Sequence, residues 1–265
     1  MLQAMSVNDG VMVNRVGLSR KHIFDAVDAS IARLGTYLDV LQIHRLDRET
    51  PREEIMKALN DVVESGKVRY IGACTVRLPT PPTQSITRFR LTKYVQMAAW
   101  EFQSLQNIAK QNGWHQFISM QDYHSLIYRE IERDMFPYCQ DTGVGLIPYS
   151  PLARGLLTRP YKSTPTDRQK TDWYSEFLLG KTTDADIEII GRVEELAKKK
   201  GVPMATIALA WCFAKGAIPI VGLGSIERVN QAVESIAFAK AGLLEKEDVK
   251  FLEEKYVAKP VITAV

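Results

Sequence analysis

Apolar positions along the chain follow two spacings in turn. After Ser19, a residue type that caps helices, they recur every three or four residues up to Gly35, which predicts a first helix. Short continuous apolar runs, typical of buried strands, then alternate with helical patterns. The predicted strands are Tyr37–His44, Val68–Cys74, Phe117–Gln121, Val144–Ser150 and Ala217–Val221.

The segments between these strands predict helices. Thr50 and Glu53 have the spacing of a capping box with Pro51 at the first helical position, which predicts a helix from there to Gly66. A long polar connection, 160–183, precedes the C-terminal helices. The other predicted helices are 98–112, 127–142, 184–200 and 203–215, and two more that start near Ser225 and Glu245.

Strands that are apolar throughout and are each followed by a helix indicate a parallel sheet buried on both faces. That pattern fits a doubly wound sheet and a (β/α)8 barrel equally well. Polar or reactive residues follow the C-terminal end of every predicted strand, as in a barrel whose upper face carries the site. No glycine-rich dinucleotide fingerprint follows the first strand, so the Rossmann alternative has no support. We therefore favour the barrel, with five of its eight strands visible.

Composition limits the classes of protein that remain. The 265 residues are 46% hydrophobic and 25% charged, which is typical of one large soluble globular domain, and no apolar run approaches the length of a membrane span. A net charge of +3 is too small to indicate a nucleic-acid-binding surface. Cys74, Cys139 and Cys212 fit neither a disulfide framework nor a zinc site, and we expect three small buried side chains in a reducing compartment. With no secretory signal visible, the expected location is the cytosol.

Several segments together resemble the aldo-keto reductases, and fungal members most closely. They are YLDVLQIHRLD, GKVRYIGA, ISMQDYHSLIYREIERDM, GVGLIPYSPLARGLLTRP and PIVGLGSIERVNQA. The resemblance runs in order from about Asn14 to Pro260. It implies a single (β/α)8 barrel domain and NADPH-dependent reduction of an aldehyde or ketone, here in fungal secondary metabolism. Against that family the chain lacks the first βαβαβ portion of the barrel.

The family's catalytic set is an Asp, a Tyr, a Lys and a His, of which the resemblance implies only the His, at His44. The other three precede the first helix in relatives, so we expect the chain to be impaired as a reductase. A non-catalytic NADPH-binding protein or partner subunit is one alternative, and a chain without a stable fold, because an open barrel exposes edge strands, is another. Tyr123 and Tyr128 are expected to be packing residues, and His115 and His124 surface or loop residues.

The resemblance also implies the cofactor contacts, and we expect no metal site. Tyr149 stacks on the nicotinamide, Gln121 bonds its carboxamide, and Cys74 with Thr75 occupies the family's Ser/Asn place. Arg228 faces the 2′-phosphate, since a guanidinium suits a dianion and favours NADPH over NADH. Gln231 is at the position expected to contact the adenine. Gln231 and Ala232 differ from the pair of residues that the family usually has at these positions. The expected pyrophosphate contacts are Ser150, Leu152, Arg154 and Gly155 in the loop 150–157, with Gly222, Gly224 and Ser225 at a helix start.

Residues 76–96 interrupt this pattern. The segment holds three prolines and four basic residues but no acidic residue, and its deletion would leave IGACTMAAWEF, the join that relatives show. Val76 can be encoded by GT plus a base and Gln96 by CAG, so the segment can begin and end with splice signals. Our hypothesis is a retained intron, and the alternative is a real basic loop that contacts substrate or a partner.

Overall fold

Helices and strands alternate along the chain in nearly the predicted order. The computed structural model describes residues 16–75, 97–163 and 182–260; the segment 76–96 and residues 164–181 of the polar connection lie outside the described residues. The strands are Leu38–Ile43 (β1), Val68–Cys74 (β2), Phe117–Gln121 (β3) and Gly145–Leu146 (β4). The helices are Arg20–Leu34 (α1), Arg52–Glu64 (α2), Ala99–Asn112 (α3), Met135–Thr142 (α4), Asp184–Lys200 (α5), Met204–Ala214 (α6), Ile226–Lys240 (α7) and Lys246–Glu253 (α8), with 3-10 helices at Glu130–Arg133 and Ala153–Thr158.

The four strands form one parallel sheet in the order β1-β2-β3-β4. β1 pairs with β2 from Leu38 opposite Val68 to Ile43 opposite Ala73. Sequential order without a reversal is the arrangement of a barrel, whereas a doubly wound sheet has a switch point where the order reverses. The order of the four described strands therefore favours the barrel over the doubly wound sheet.

The predicted fifth strand, 217–221, is an extended segment on the outer edge of β4 rather than a regular strand. The N–H groups of Ile218 and Ile220 donate to the carbonyls of Leu146 and Pro148, both at 2.8 Å. Both donors face β4, so Pro219, which has no N–H, has its nitrogen toward the other edge. β4 is also shorter than predicted, because Pro148 interrupts it, although Ile147 and Tyr149 still donate to β3 and its extension.

The two faces of the sheet differ within the described residues. Leu41, Ile43 and Ile71 are fully or almost fully buried in a core shared with α1, α2, α3 and α4. Val40 and Tyr70, on neighbouring strand positions, are 43% and 53% exposed. The expectation that both faces are buried is therefore wrong for this part of the chain: helices cover one face, as they cover the outside of a barrel.

Gly72 lets β3 approach β2 closely. A Cβ built on Gly72 would lie 2.5 Å from Ser119 Oγ, a distance that real Cβ atoms do not show. The register also shifts here, since Ile71 pairs with Phe117 while Gly72 pairs with Ser119. The glycine and the bulge bring the ends of β2 and β3 together, where several candidate site residues lie.

A second apolar core lies beyond β3 and β4. Tyr123, Tyr128 and Leu157 are buried against α5, α6 and α8, with Trp211 at the centre. The burial of both tyrosines at 1% exposure confirms that they pack in the interior. This core supports the loops that follow β3 and β4.

Two local predictions are wrong. The Thr50 hydroxyl does not cap a helix but donates to Asp47 Oδ2 at 2.6 Å, and α2 begins at Arg52 with Pro51 as its N-cap. The predicted helix 127–142 divides into a 3-10 helix and α4, since Asp134 accepts from Met135 N and starts a new helix. The helix boundaries at Ser19 and Gly35 are confirmed.

Candidate active site

Candidate residues on four neighbouring chain segments meet at one edge of the sheet. His44 follows β1, Cys74 ends β2, Gln121 ends β3, and Tyr149 lies just beyond β4. Because the strands are parallel and adjacent in this order, their C-terminal ends share one edge, which is where barrel enzymes carry their chemistry.

Two side-chain pairs connect β2 with β3 at this edge. Cys74 Sγ donates to Gln121 Oε1 at 3.2 Å, and the Thr75 hydroxyl donates to Asp122 Oδ1. Thr75 N also donates to the Gln121 carbonyl at 2.9 Å, which extends the ladder past the strand ends. All four side chains are buried, so the structure brings together the three predicted residues Cys74, Thr75 and Gln121 and adds Asp122.

Asp122 is a buried carboxyl group that the sequence reasoning missed. Burial, with a smaller contribution from Asp134, raises the pKa of Asp122 to about 8, against the hydrogen bond from Thr75. Within the described residues, Asp122 Oδ2 has no hydrogen-bond partner. The available signal was an acidic residue directly after a buried strand that ends in a candidate site residue.

His44 is half-buried and uncharged at neutral pH. Burial and then the guanidinium of Arg45 lower the pKa of His44 to about 4. The nitrogens of Arg45 are themselves buried, so this positive charge acts in a poorly screened environment. A neutral imidazole can donate one hydrogen bond and accept another.

Tyr149 is half-buried at the same edge and belongs to an aromatic cluster. Its ring centroid lies 5.4 Å from that of Tyr123, which is 4.9 Å from that of Tyr128. Tyr149 N donates to the Asp122 carbonyl at 2.8 Å. The buried tyrosines and this backbone bond fix an aromatic ring that remains partly accessible.

The loop after Tyr149 has a strained backbone conformation. Ser150, Ala153 and Arg154 have φ values of 55°, 46° and 56°, a region that residues with a Cβ rarely adopt, and Gly155 follows at 104°. Buried Ala153 and Leu157 and the bonds from Ala153 N to Ser150 O and from Gly155 N to Leu152 O hold this shape. Backbone strain concentrates at ligand-binding sites, and this loop is the one for which pyrophosphate contacts are predicted.

The start of α7 is open to solvent. Ser225 Oγ accepts from Arg228 N at 3.3 Å and caps the helix, and Gly222, Gly224 and the Arg228 side chain are exposed. Gln231 donates to Glu227 Oε1 at 3.3 Å on the next turn. Exposed N–H groups at the start of a 15-residue helix, with a guanidinium one turn in, suit an anion.

His124 lies in the loop after β3, one of the two predicted alternatives, but its side chain is in the interior rather than at the surface. Its ring is fully buried between Phe136 and Trp211, with centroids at 4.4 and 4.8 Å, and Nε2 lies 2.8 Å from Glu132 Oε1. The loop after β3 folds under α6, a contact that the local sequence does not reveal. His115 is exposed beside Glu64, as predicted.

The burial of the three cysteines confirms the expectation of small buried side chains. Cys74, Cys139 and Cys212 are free and buried, and burial raises the pKa of each thiol, that of Cys139 to about 12. In the described ranges, no cluster of His, Cys, Asp and Glu side chains could hold a metal ion. None of the helices described above is both long and apolar enough to cross a bilayer.

Comparison with known proteins shows the family of this chain. The sequence profile described as "Aldo/keto reductase family" matches residues 5–80 and 91–256. Versiconal hemiacetal acetate reductase of Aspergillus parasiticus is 55% identical over 256 residues, which cover 96% of this chain and 67% of that protein. A putative aryl-alcohol dehydrogenase of Schizosaccharomyces pombe is 53% identical over 94% of this chain and 69% of its own length, and one of Saccharomyces cerevisiae is 47% identical over 92% and 64%.

These matches first identify the class of protein: oxidoreductases that are built on a (β/α)8 barrel and act on small carbonyl compounds. This chain belongs to the aldo/keto reductase family. It spans about two thirds of the length of the relatives it matches. The four described parallel strands with helices on one face are part of that barrel.

Proposed function

We propose that this protein is a fungal aldo-keto reductase of secondary metabolism that uses NADPH to reduce an aldehyde or ketone. The observation that carries the proposal is the meeting of His44, the Cys74–Gln121 pair, the Thr75–Asp122 pair and Tyr149 at the C-terminal edge of the sheet. Relatives named for a hemiacetal acetate and for aryl alcohols support an aromatic or polyketide-like carbonyl compound as the substrate.

The residues at this edge fit a nicotinamide dinucleotide. Tyr149 offers a partly accessible ring, Gln121 a polar amide, and the strained loop 150–157 a set of fixed backbone groups. The exposed first turn of α7 with Arg228 suits a phosphate monoester, which supports NADPH over NADH. When bound, NADPH supplies the hydride.

The protein's own contribution is to bind and orient. His44, neutral because of burial and Arg45, can donate a hydrogen bond to a carbonyl oxygen and polarise it. We assign none of the described residues to the roles of the family's Asp, Tyr and Lys, so the proton donor is not among the residues we assign. We therefore propose that these 265 residues alone bind NADPH but turn it over negligibly, because a missing proton donor costs about 10²-fold or more.

A second candidate function follows from the same observation. The groups assigned to the cofactor are better represented than the catalytic set, which supports a non-catalytic NADPH-binding protein or partner subunit. The free buried thiols support a reducing compartment, the cytosol, for either function.

A titration of the 265-residue chain with NADPH and with NADH, followed by nicotinamide fluorescence, tests the proposal. We expect saturable binding that is tighter for NADPH, and negligible oxidation of NADPH with an aryl aldehyde. Normal turnover would contradict the expected impairment. No binding of either dinucleotide to a folded chain would contradict both candidate functions.

A further inference from the structure

A largely buried network of charged side chains joins the segment between β3 and β4 to α6 and α8. Glu132 accepts hydrogen bonds from Arg129 Nε at 3.0 Å and Nη2 at 2.8 Å, and it lies 3.1 Å from Lys215 Nζ at the end of α6. Glu253 of α8 accepts from Arg129 Nη2 at 2.9 Å and from Trp211 Nε1 at 2.8 Å. None of these residues is among the predicted cofactor contacts.

His124 attaches to this network through its ring, whose Nε2 lies 2.8 Å from Glu132 Oε1. Burial would raise the pKa of Glu132, but hydrogen bonds from His124 and Arg129 lower it well below its ordinary value, so Glu132 is ionised and can only accept. Burial lowers the pKa of His124 despite the bond to Glu132, so the ring is neutral at neutral pH and its one proton is on Nε2. The network therefore holds the imidazole in one tautomer and one orientation.

The backbone around His124 connects this anchored ring to Tyr149. His124 N donates to the Tyr149 carbonyl at 3.5 Å, and Tyr149 N donates to the Asp122 carbonyl at 2.8 Å. Tyr123 and Tyr149 form a parallel bridge, and their ring centroids are 5.4 Å apart. Both backbone groups of Tyr149 are thus held by the segment 122–124, whose position depends on the buried imidazole.

Tyr149 needs this support because the chain that follows it is strained. Regular β4 ends at Leu146, and Ser150, directly after Tyr149, has a φ of 55°. A residue with a Cβ keeps such a conformation only where its surroundings impose it. Since the ring of Tyr149 is partly accessible at the edge of the sheet, a small shift of its backbone changes the angle that the ring presents to a ligand.

We propose that His124, held by Glu132, is a positioning residue that fixes the angle of the Tyr149 ring and thereby the affinity for the nicotinamide half of the cofactor. The inference rests on the proposed function, in which Tyr149 stacks on the nicotinamide. The ring of His124 is fully buried between Phe136 and Trp211, so it acts through Tyr149. A positioning role changes the binding of the nicotinamide half alone, whereas a purely structural role changes the binding of every part of the dinucleotide.

Two nucleotides separate these roles. NADPH includes the nicotinamide half, and adenosine 2′,5′-bisphosphate has the adenosine and the 2′-phosphate without it. We measure both dissociation constants by isothermal titration calorimetry with the same preparation of the 265-residue chain. An unfolded fraction raises both apparent constants by the same factor, so a change in stability does not alter the ratio of the constant for the bisphosphate to that for NADPH.

We expect Tyr149→Ala to lower this ratio about 10-fold, the scale of one stacking interaction. His124→Leu removes the donor to Glu132 and should lower the ratio about 3-fold or more. His124→Gln keeps an N–H group that can reach Glu132 and should retain most of the ratio. In a chain that carries Tyr149→Ala, His124→Leu should have no further effect, because both residues act through one contact.

Glu132→Leu breaks the same hydrogen bond from the other side and should lower the ratio as His124→Leu does, so the test stands if either variant does not fold. The matched control is Thr206→Val, which removes a buried hydroxyl that bonds Ser235 Oγ at 2.8 Å between α6 and α7. We expect this control to lower stability and to leave the ratio unchanged, because both nucleotides share the contacts proposed at α7.

Several results would contradict the inference. A ratio that His124→Leu or Glu132→Leu leaves unchanged would show that the pair only stabilises the fold. Equal losses in His124→Leu and His124→Gln would show that the bond to Glu132 is not required, and additive effects with Tyr149→Ala would show that His124 does not act through Tyr149. In each of these cases NADPH still binds and the proposed function stands. A folded chain that binds neither nucleotide contradicts the proposed function itself.

Discussion

Arg48 and Glu101 form a two-point ion pair that joins the loop after β1 to the first turn of α3. Arg48 Nε lies 2.7 Å from Glu101 Oε1, and Nη2 lies 2.6 Å from Oε2. Glu101 is almost fully buried and also accepts from Ala98 N at 3.0 Å. The pair connects the segment that carries His44 to the helix that follows the segment 76–96.

Removing Arg48 should destabilise the fold measurably. In Arg48→Met the Glu101 carboxylate stays buried, and its remaining ion-pair partner among the described residues is Arg52 at 3.7 Å. We therefore expect a loss of about 2 kcal/mol in the free energy of unfolding. Urea unfolding measures this loss. The control is Lys21→Met in the exposed Lys21–Asp25 pair on α1, for which we expect about 0.5 kcal/mol or less. Equal losses in both variants would show that the buried pair has no special role.

Gly72 should tolerate no side chain while Ser119 is present. Gly72→Ala places a Cβ against Ser119 Oγ, and we expect a loss of about 1–3 kcal/mol from overpacking. The buried Ser119 hydroxyl has no hydrogen-bond partner among the described residues, so Ser119→Ala alone should be nearly neutral. Thermal unfolding of the single and double variants should show a smaller effect of Gly72→Ala in the Ser119→Ala background; additive effects would contradict the contact.

The buried carboxyl of Asp122 should make stability depend on pH. Its folded-state pKa of about 8 exceeds its ordinary value, so between about pH 4 and pH 8 the native state holds a proton that the unfolded state has lost. The contribution of Asp122 to stability therefore falls as pH rises through this window. The charged or titratable groups around it are Asp134, Cys74 and Cys139.

The variant Asp122→Asn isolates that contribution, because it cannot ionise. We expect its melting temperature to rise relative to that of the unmodified chain as pH increases from about 5 to about 9. Asp25→Asn, on the exposed face of α1, serves as the control and should follow the unmodified chain. A constant difference between Asp122→Asn and the unmodified chain would show that Asp122 is already ionised at low pH.

His44 should remain neutral until the solution is strongly acidic. Its imidazole signal, assigned by comparison with His44→Gln, should titrate in NMR spectra with a pKa of about 4. Arg45→Met removes a nearby positive charge, so the pKa of His44 should rise in that variant. Arg69→Met, at the N-terminal end of β2, should leave it unchanged. If Arg45→Met leaves the pKa of His44 unchanged, the charge of Arg45 does not lower this pKa and burial is its cause.

Arg228 should decide between the two dinucleotides. If its guanidinium meets the 2′-phosphate, Arg228→Leu should weaken binding of NADPH about 10-fold and leave binding of NADH almost unchanged. Parallel fluorescence titrations measure both constants. Arg33→Leu, which removes an exposed arginine on α1, is the matched control. An equal loss for both nucleotides would place Arg228 away from the 2′-phosphate.

The sequence predicts best those elements whose signals are continuous and local. β2, β3 and α5 have the predicted bounds, because apolar runs and a helical repeat each end at residues that change the pattern. The meeting of Cys74, Thr75 and Gln121 was also predictable once the strands were known to be parallel and adjacent.

Predictions were wrong where a residue far along the chain, or a competing hydrogen-bond partner, determines the local structure. Asp47 takes the Thr50 hydroxyl that the capping box needs, and Trp211 covers His124 from a helix far along the chain. Asp122 was missed because its importance depends on Thr75, which follows another strand. Hydrogen bonds between side chains of neighbouring segments do not affect the spacing of residues within either segment, so the sequence pattern does not predict them.

Pro219 has a consequence for assembly at the outer edge of the sheet. An exposed parallel edge normally presents alternating donors and acceptors along its length and can template pairing with a foreign strand. In this segment the donors of Ile218 and Ile220 are already used by β4, and the position between them has no hydrogen to offer. At Pro219 the outer edge therefore has no N–H group to donate. A strand of another molecule that paired with this edge would make one hydrogen bond fewer, which disfavours nonspecific edge-to-edge aggregation.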